Sequence, residues 1–112
     1  MRLKSEVEKQ LRERVLKNFL DVLILSKLEN SEPMSGYDFI GFIHEEFGII
    51  ISTGTIYSNL YALERDGFIK GYQSQGKRVY KMSNTGMQFI EETCQAIDPV
   101  KNWIEKIMKK RS

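Results

Sequence analysis

Between positions 19 and 28 the chain is apolar on nearly every face of a helix: Phe19, Leu20, Val22, Leu23, Ile24, Leu25 and Leu28 are broken only by Asp21, Ser26 and Lys27. A helix that is hydrophobic all round must be covered all round. Upstream, Val7, Leu11 and Val15 keep the helical spacing but share it with Lys9, Arg12, Arg14 and Lys17. One helix from about Val7 to Leu28 is therefore predicted, amphipathic in its first half and central to the core in its second. With 112 residues and 41% hydrophobic content, the chain can build one modest core around that helix and has little length for a second domain. Any enzyme chemistry would have to sit on the same small scaffold.

Punctuation downstream divides the rest into short elements. Pro33 in Asn30-Ser31-Glu32-Pro33 marks a turn. Ser35 suits an N-cap, with Asp38 three residues on able to reach back in a capping box. A second helix, about Gly36 to Phe47, is predicted with Ile40, Ile43 and Phe47 on its inner face, ended by Gly48. Ile49-Ile50-Ile51 is a short β-branched run, after which Ser52 or Thr53 caps a third helix reaching about Asp66. Its apolar positions Ile56, Leu60 and Leu63 are spaced by four and three, and Gly67 terminates it. Phe68 to Gln73 and Lys77 to Met82 read as two strands around the tip Ser74-Gln75-Gly76. Ser83 opens a further helix in which Met87, Ile90, Cys94 and Ile97 repeat at three and four, the spacing of a helix–helix seam. Asp98-Pro99 is read as a restart, followed by a last helix carrying Val100, Trp103, Ile104, Ile107 and Met108.

The order helix, helix, helix, hairpin, helix is that of a mainly α fold with a small β-hairpin wing, a winged helix-turn-helix plus a C-terminal dimerisation helix. Residues 1–82 are assigned to the winged-helix unit with an extended N-terminal helix, and 83–112 to a C-terminal helical segment of the same structural unit.

A net charge of +2 says little, but its distribution says more. Residues 68–82 hold Lys70, Lys77, Arg78 and Lys81 with no acid, and residues 101–112 hold five cations against Glu105, so each segment carries a net +4. Clustered positive charge is the footprint of a surface that meets a polyanion. On the third helix, Thr55, Tyr57, Ser58, Asn59, Tyr61 and Arg65 can hydrogen-bond base edges or phosphates, and the capped N-terminus presents backbone N–H groups to a phosphate. Taken alone, such a face is equally well the solvated side of a short helix, and a basic hairpin tip is more often a solvated loop. Their occurrence together in helix-turn-helix order tips the balance towards double-stranded DNA.

At this point the sequence resembles a known family. Gly54-Thr55-Ile56-Tyr57, continuing through Leu60, Leu63-Glu64, Gly67 and Ile69, is similar to the signature of the PadR family of prokaryotic transcriptional regulators. Pro33-Met34-Ser35-Gly36-Tyr37 matches the opening of that family's second helix, and Lys77-Arg78-Val79-Tyr80-Lys81-Met82-Ser83 its second wing strand. The resemblance spans about residues 15–90. Thr53 departs from the proline usual there, and Ser35 from a frequent histidine. The resemblance implies a homodimer, usually a repressor, with each recognition helix in half of an inverted repeat. It makes Tyr37 and Tyr57 DNA-proximal, Lys77 and Arg78 wing contacts, and Gly54 a site of close approach at the helix start.

Dimerisation also follows from the apolar stripe around Trp103, which would be a large sticky patch if uncovered. The expected interface is Leu11, Met87, Ile90, Cys94, Ile97, Val100, Trp103, Ile104, Ile107 and Met108; the alternative is that the last helix folds back on its own domain. Some relatives bind flat aromatic molecules at the dimer interface, which would make Trp103 a stacking surface, although such a residue is more often an interface anchor. His44 and Cys94 have no second ligand at metal spacing, and no nucleophile motif or phosphate loop occurs, so no metal, cofactor or catalytic residue is expected. A lone cysteine, no signal peptide and no apolar run long enough for a bilayer suggest the cytoplasm and no membrane partner. The rival function is a winged helix that docks a partner protein through its exposed tyrosines.

Overall fold

A computed structural model describes residues 3–109. The basic residues Lys110 and Arg111 counted above lie outside them. Five helices and three strands follow in the order α1 Lys4–Asn18, α2 Leu20–Glu29, β1 Met34–Ser35, α3 Gly36–Phe47, α4 Thr53–Arg65, β2 Ile69–Ser74, β3 Lys77–Met82 and α5 Asn84–Met108.

The apolar run is the centre of the core. Leu20, Ile24, Leu25 and Leu28 of α2 are buried against Phe39 and Ile43 of α3, Ile56, Leu60 and Leu63 of α4, Ile69 and Tyr80 of the wing, and Ile90 of α5. The sequence pattern predicts one helix from about Val7 to Leu28, but the structure has two, α1 and α2. The chain breaks at Phe19 (φ −110°, ψ 25°), and α1 buries none of its residues. The two halves face different surroundings, so one straight axis does not serve both. The Asn18 side chain donates to the Arg14 carbonyl at the last turn of α1.

Ser35 caps α3 as expected. Its hydroxyl accepts from the Asp38 N–H, while the Asp38 carboxylate accepts from the Ser35 N–H at 2.8 Å. That second bond holds the Asp38 carboxyl below its ordinary range, with the Ser35 hydroxyl and the charge of Lys77 adding to the effect against partial desolvation. The inner face of α3 differs from the predicted one. Phe39 and Ile43, one turn apart, are fully buried, Ile40 is half-buried and Phe47 is exposed. Phe47 lines a groove of about 710 Å³ with Leu11, Val15, Phe19 and Val22. Gly48 ends the helix in the left-handed conformation, and Ile49 to Ile51 form no strand, only Ile51 being buried.

The wing is larger than a hairpin. Strand order is β1-β3-β2, all antiparallel, with Ser35 opposite Val79 and Gln73 opposite Arg78. The added strand ties the start of α3 to the wing. The hairpin turns at Gln75 and Gly76, both at positive φ (52° and 77°), the backbone that matches strand twist in a two-residue hairpin. Finally, α5 runs unbroken through Pro99, where a restart is predicted. Proline there removes one helical hydrogen bond, and since the surrounding turns are exposed, water can take the freed carbonyl. Its 25 residues span about 37 Å, which contributes to an elongated molecule of 54 × 30 × 21 Å.

Candidate nucleic-acid interface

The α3–turn–α4 unit presents α4 with its two sides sharply divided. Ile56, Leu60 and Leu63 are buried, while Gly54, Ser58, Tyr61 and Arg65, spaced four, three and four, form an exposed row with Thr55 beside it. The start of α4 is built by Ser52, whose hydroxyl accepts from the Thr55 N–H at 3.2 Å and donates to the Thr55 hydroxyl at 2.9 Å. A carbon added at Gly54 would meet nothing within 4 Å. Among the described residues nothing requires glycine there.

The two tyrosines at this surface differ. Tyr57 lies with its ring on Gly36: a carbon added there would sit 2.5 Å from the tyrosine Cζ. It also meets Tyr37 edge-on, with ring centroids 6.3 Å apart. Burial first, then the neighbouring Tyr37, Tyr80 and Asp38, pushes its hydroxyl pKa up, so Tyr57 joins α4 to α3 as a neutral group. Tyr37 and Tyr61 are 68% and 69% exposed and free to meet a partner surface.

Other predicted contacts are engaged internally. The Asn59 amide donates to the Thr55 carbonyl at 3.0 Å and is half-buried. Turning it to a base edge would exchange that bond for another. Arg65 lies 3.3 Å from the exposed Asp66 carboxylate, a solvent-screened pair that costs little to open. Lys77 is exposed at the wing and close enough to α3 for its charge to act on Asp38.

Arg78 departs most from expectation. Its Nη2 donates to Glu64 Oε2 at 2.8 Å, and the same oxygen accepts from the Gly71 N–H at 3.1 Å. The guanidinium also lies 5.7 Å from the Tyr80 ring centroid. Hydrogen bonding and charge from Glu64 raise the Arg78 pKa further. Glu64 itself stands in the motif quoted above with no role readable from spacing, because its partner is fourteen residues away.

Away from the core, Ile97, Val100, Trp103, Ile104, Ile107 and Met108 are exposed along α5, and Val7, Leu11 and Val15 along α1, with Leu3 just before it. Trp103 is 62% exposed, so α5 does not fold back over it. Two residues expected at the interface belong elsewhere. Ile90 is buried in the chain's own core and Met87 is half-buried against it, because the first turns of α5 pack on the domain before the helix leaves it. Cys94 is exposed. Among the described residues, no helix is long and apolar enough to cross a membrane.

A capped helix-turn-helix with a basic, sheet-anchored wing defines a winged helix-turn-helix protein. The chain belongs to the transcriptional regulator PadR-like family, whose model matches residues 24–92; this is a family of regulators, not of enzymes. The fold is similar to that of a transcriptional regulator from Clostridium thermocellum, with 27% identity and a TM-score of 0.72 over 83% of this chain and 93% of that one. It is also similar to a PadR family transcription regulator from Clostridium difficile, with 28% identity and a TM-score of 0.70 over 80% of this chain and 98% of the other. Bacillus subtilis PadR, solved in complex with operator DNA, shares 29% identity and a TM-score of 0.60 over 67% of this chain and 46% of its own. No curated protein is significantly similar in sequence.

Proposed function

We propose that the chain is a sequence-specific binder of double-stranded DNA that acts as a homodimeric repressor on an inverted repeat. The observation that carries this reading is the exposed row Gly54, Ser58, Tyr61 and Arg65 on the side of α4 opposite its buried residues, beside a wing rich in Lys and Arg. In this reading α4 enters the major groove, its N-terminal N–H groups meet a phosphate, and Thr55, Ser58, Asn59 and Arg65 read base edges. Tyr37 and Tyr61 flank the groove, Tyr57 holds α4 in place, and Lys77 neutralises wing-side backbone. That Bacillus subtilis PadR is solved in complex with operator DNA supports DNA binding here, and a regulator of this kind works in the cytoplasm, where the DNA is.

The dimer forms through α1 and α5. Large apolar side chains exposed along both helices mark a surface that a partner covers, and a second copy is the simplest cover. It would set the two recognition helices about 34 Å apart, one turn of DNA. A flat aromatic effector would stack on Trp103 at that interface; quenching of this single tryptophan by such a compound tests the point.

Titration of random duplex and of the duplexes enriched from the source genome, at two salt concentrations, tests the whole. Salt-sensitive binding with preference for a two-fold symmetric sequence is expected. Salt-insensitive, negligible binding to every duplex would favour the protein-docking rival.

A further inference from the structure

We propose that Glu64 and Arg78 form a latch that fixes the angle of the wing to the recognition helix, so that Arg78 is a positioning residue and not a phosphate contact. Both partners of the latch converge on one atom. Glu64 Oε2, at the end of α4, accepts from Arg78 Nη2 of β3 and from the Gly71 N–H of β2. One carboxylate oxygen thereby ties both wing strands to the helix that carries the predicted base contacts.

Gly71 is the second observation. Arg78 stands opposite Gln73, so to reach Glu64 its side chain must cross the face of β2 diagonally. It does so over Gly71, where an added carbon would lie 2.8 Å from Nη2 and 2.9 Å from Cζ. Glycine inside a strand weakens the strand and marks a place where another group must come close. Here the group that comes close is the guanidinium. The Tyr80 ring also lies against the guanidinium, its centroid 5.7 Å from Cζ. The planar fork of arginine suits this place, since a lysine lacks the several fixed donors.

The charge balance of the wing changes accordingly. Of Lys70, Lys77, Arg78 and Lys81, Arg78 has its charge answered inside the chain, while Lys77 stands exposed next to it. An acid on a DNA-binding surface should by simple repulsion weaken binding, so its removal should tighten it. The latch requires the opposite for selected sequences.

The proposal rests on the DNA-binding reading, and its test uses the full chain, random duplex and duplexes selected from a random pool by the wild-type protein. For Lys77→Ala, the slope of log K against log salt should fall by about 0.9 per protomer. Arg78→Ala should leave that slope unchanged but reduce the ratio of selected to random binding by roughly five-fold or more, the size of a lost base-pair preference. Glu64→Ala should reduce the ratio likewise, although it removes a negative charge. Glu64→Gln, which keeps an acceptor for Gly71, should fall between, and thermal unfolding of each variant confirms that it is folded. Equal slope losses for Lys77→Ala and Arg78→Ala would overturn the proposal, as would a uniform gain in affinity for Glu64→Ala with the ratio intact. Hydrogen exchange at the Gly71 amide reads the latch without DNA: faster exchange in Glu64→Ala is expected, and unchanged exchange refutes it. Failure of the wild type to bind any duplex would instead bring down the DNA-binding reading, a result distinct from either.

Discussion

Gly54→Ala separates what the fold needs from what a partner surface needs. The residue is the second of α4, and a carbon added to it would meet nothing within 4 Å. Within the chain, alanine is therefore free of clash and better suited to a helix, worth about 0.5–1 kcal/mol. For a domain of this size that corresponds to a rise in Tm of roughly 2–6 °C. Gly41→Ala, also helical and with nothing within 4 Å, calibrates that gain. At a DNA interface the sign reverses. A phosphate held at about 2.9 Å by the N–H groups of the first turn would be pushed away by the new methyl group. Losing one such charge-assisted bond costs about 1.5–3 kcal/mol, roughly 10- to 150-fold in Kd. Thermal unfolding and fluorescence-anisotropy titration of the same preparation give both numbers. Higher stability with unchanged affinity would refute the placement of the α4 N-terminus against the duplex.

Three further outcomes follow from the geometry. Gly86→Ala should destabilise the protein by about 1–3 kcal/mol or more, because the added carbon would lie 2.1 Å from the Phe68 carbonyl oxygen; chemical denaturation measures it, and a wild-type midpoint would contradict the packing of α5 on the loop before β2. Since the Asp38 carboxyl is held below its ordinary value of 3.8, the unfolded chain binds its proton first. The stability this contributes is complete above about pH 4 and lost as pH falls through the folded value, so acid-unfolding curves of Asp38→Asn should converge on wild type below that window and lie beneath it above. Trp103→Glu should turn a dimer into a monomer with its unfolding cooperativity retained, checked by sedimentation; a dimer of undiminished affinity would remove Trp103 from the interface.

Signals that act within four residues could be read directly. The Ser35–Asp38 capping box, the left-handed Gly48, the Ser52 cap and the buried row Ile56, Leu60 and Leu63 each join neighbours along the chain, so residue type and spacing already contain the geometry. The polar row of α4 was legible for the same reason, being what remains when the apolar row turns inward. The break at Phe19 was not, because both halves keep helical spacing and differ only in what surrounds them. Pro99 misled for the converse reason: its local signal says stop, and an exposed helix can absorb the lost hydrogen bond. Phe39, Ile43 and Phe47 share one row of α3, and only the extent of the assembled core decides that the first two are buried and Phe47 is not.

The sequence alone thus determined the helix-turn-helix and hairpin, the caps of α3 and α4 and the polar row of α4, since those rest on backbone sterics and side-chain spacing. Tertiary structure decided how the wing strands join α4 and which wing cation has an acid beside it. From its type and place Arg78 reads as a phosphate contact, and its ion pair with Glu64, fourteen residues back, emerges only once β3 folds beside β2. Whether a charge faces solvent or an internal partner depends on distances through space, and residue type does not record them.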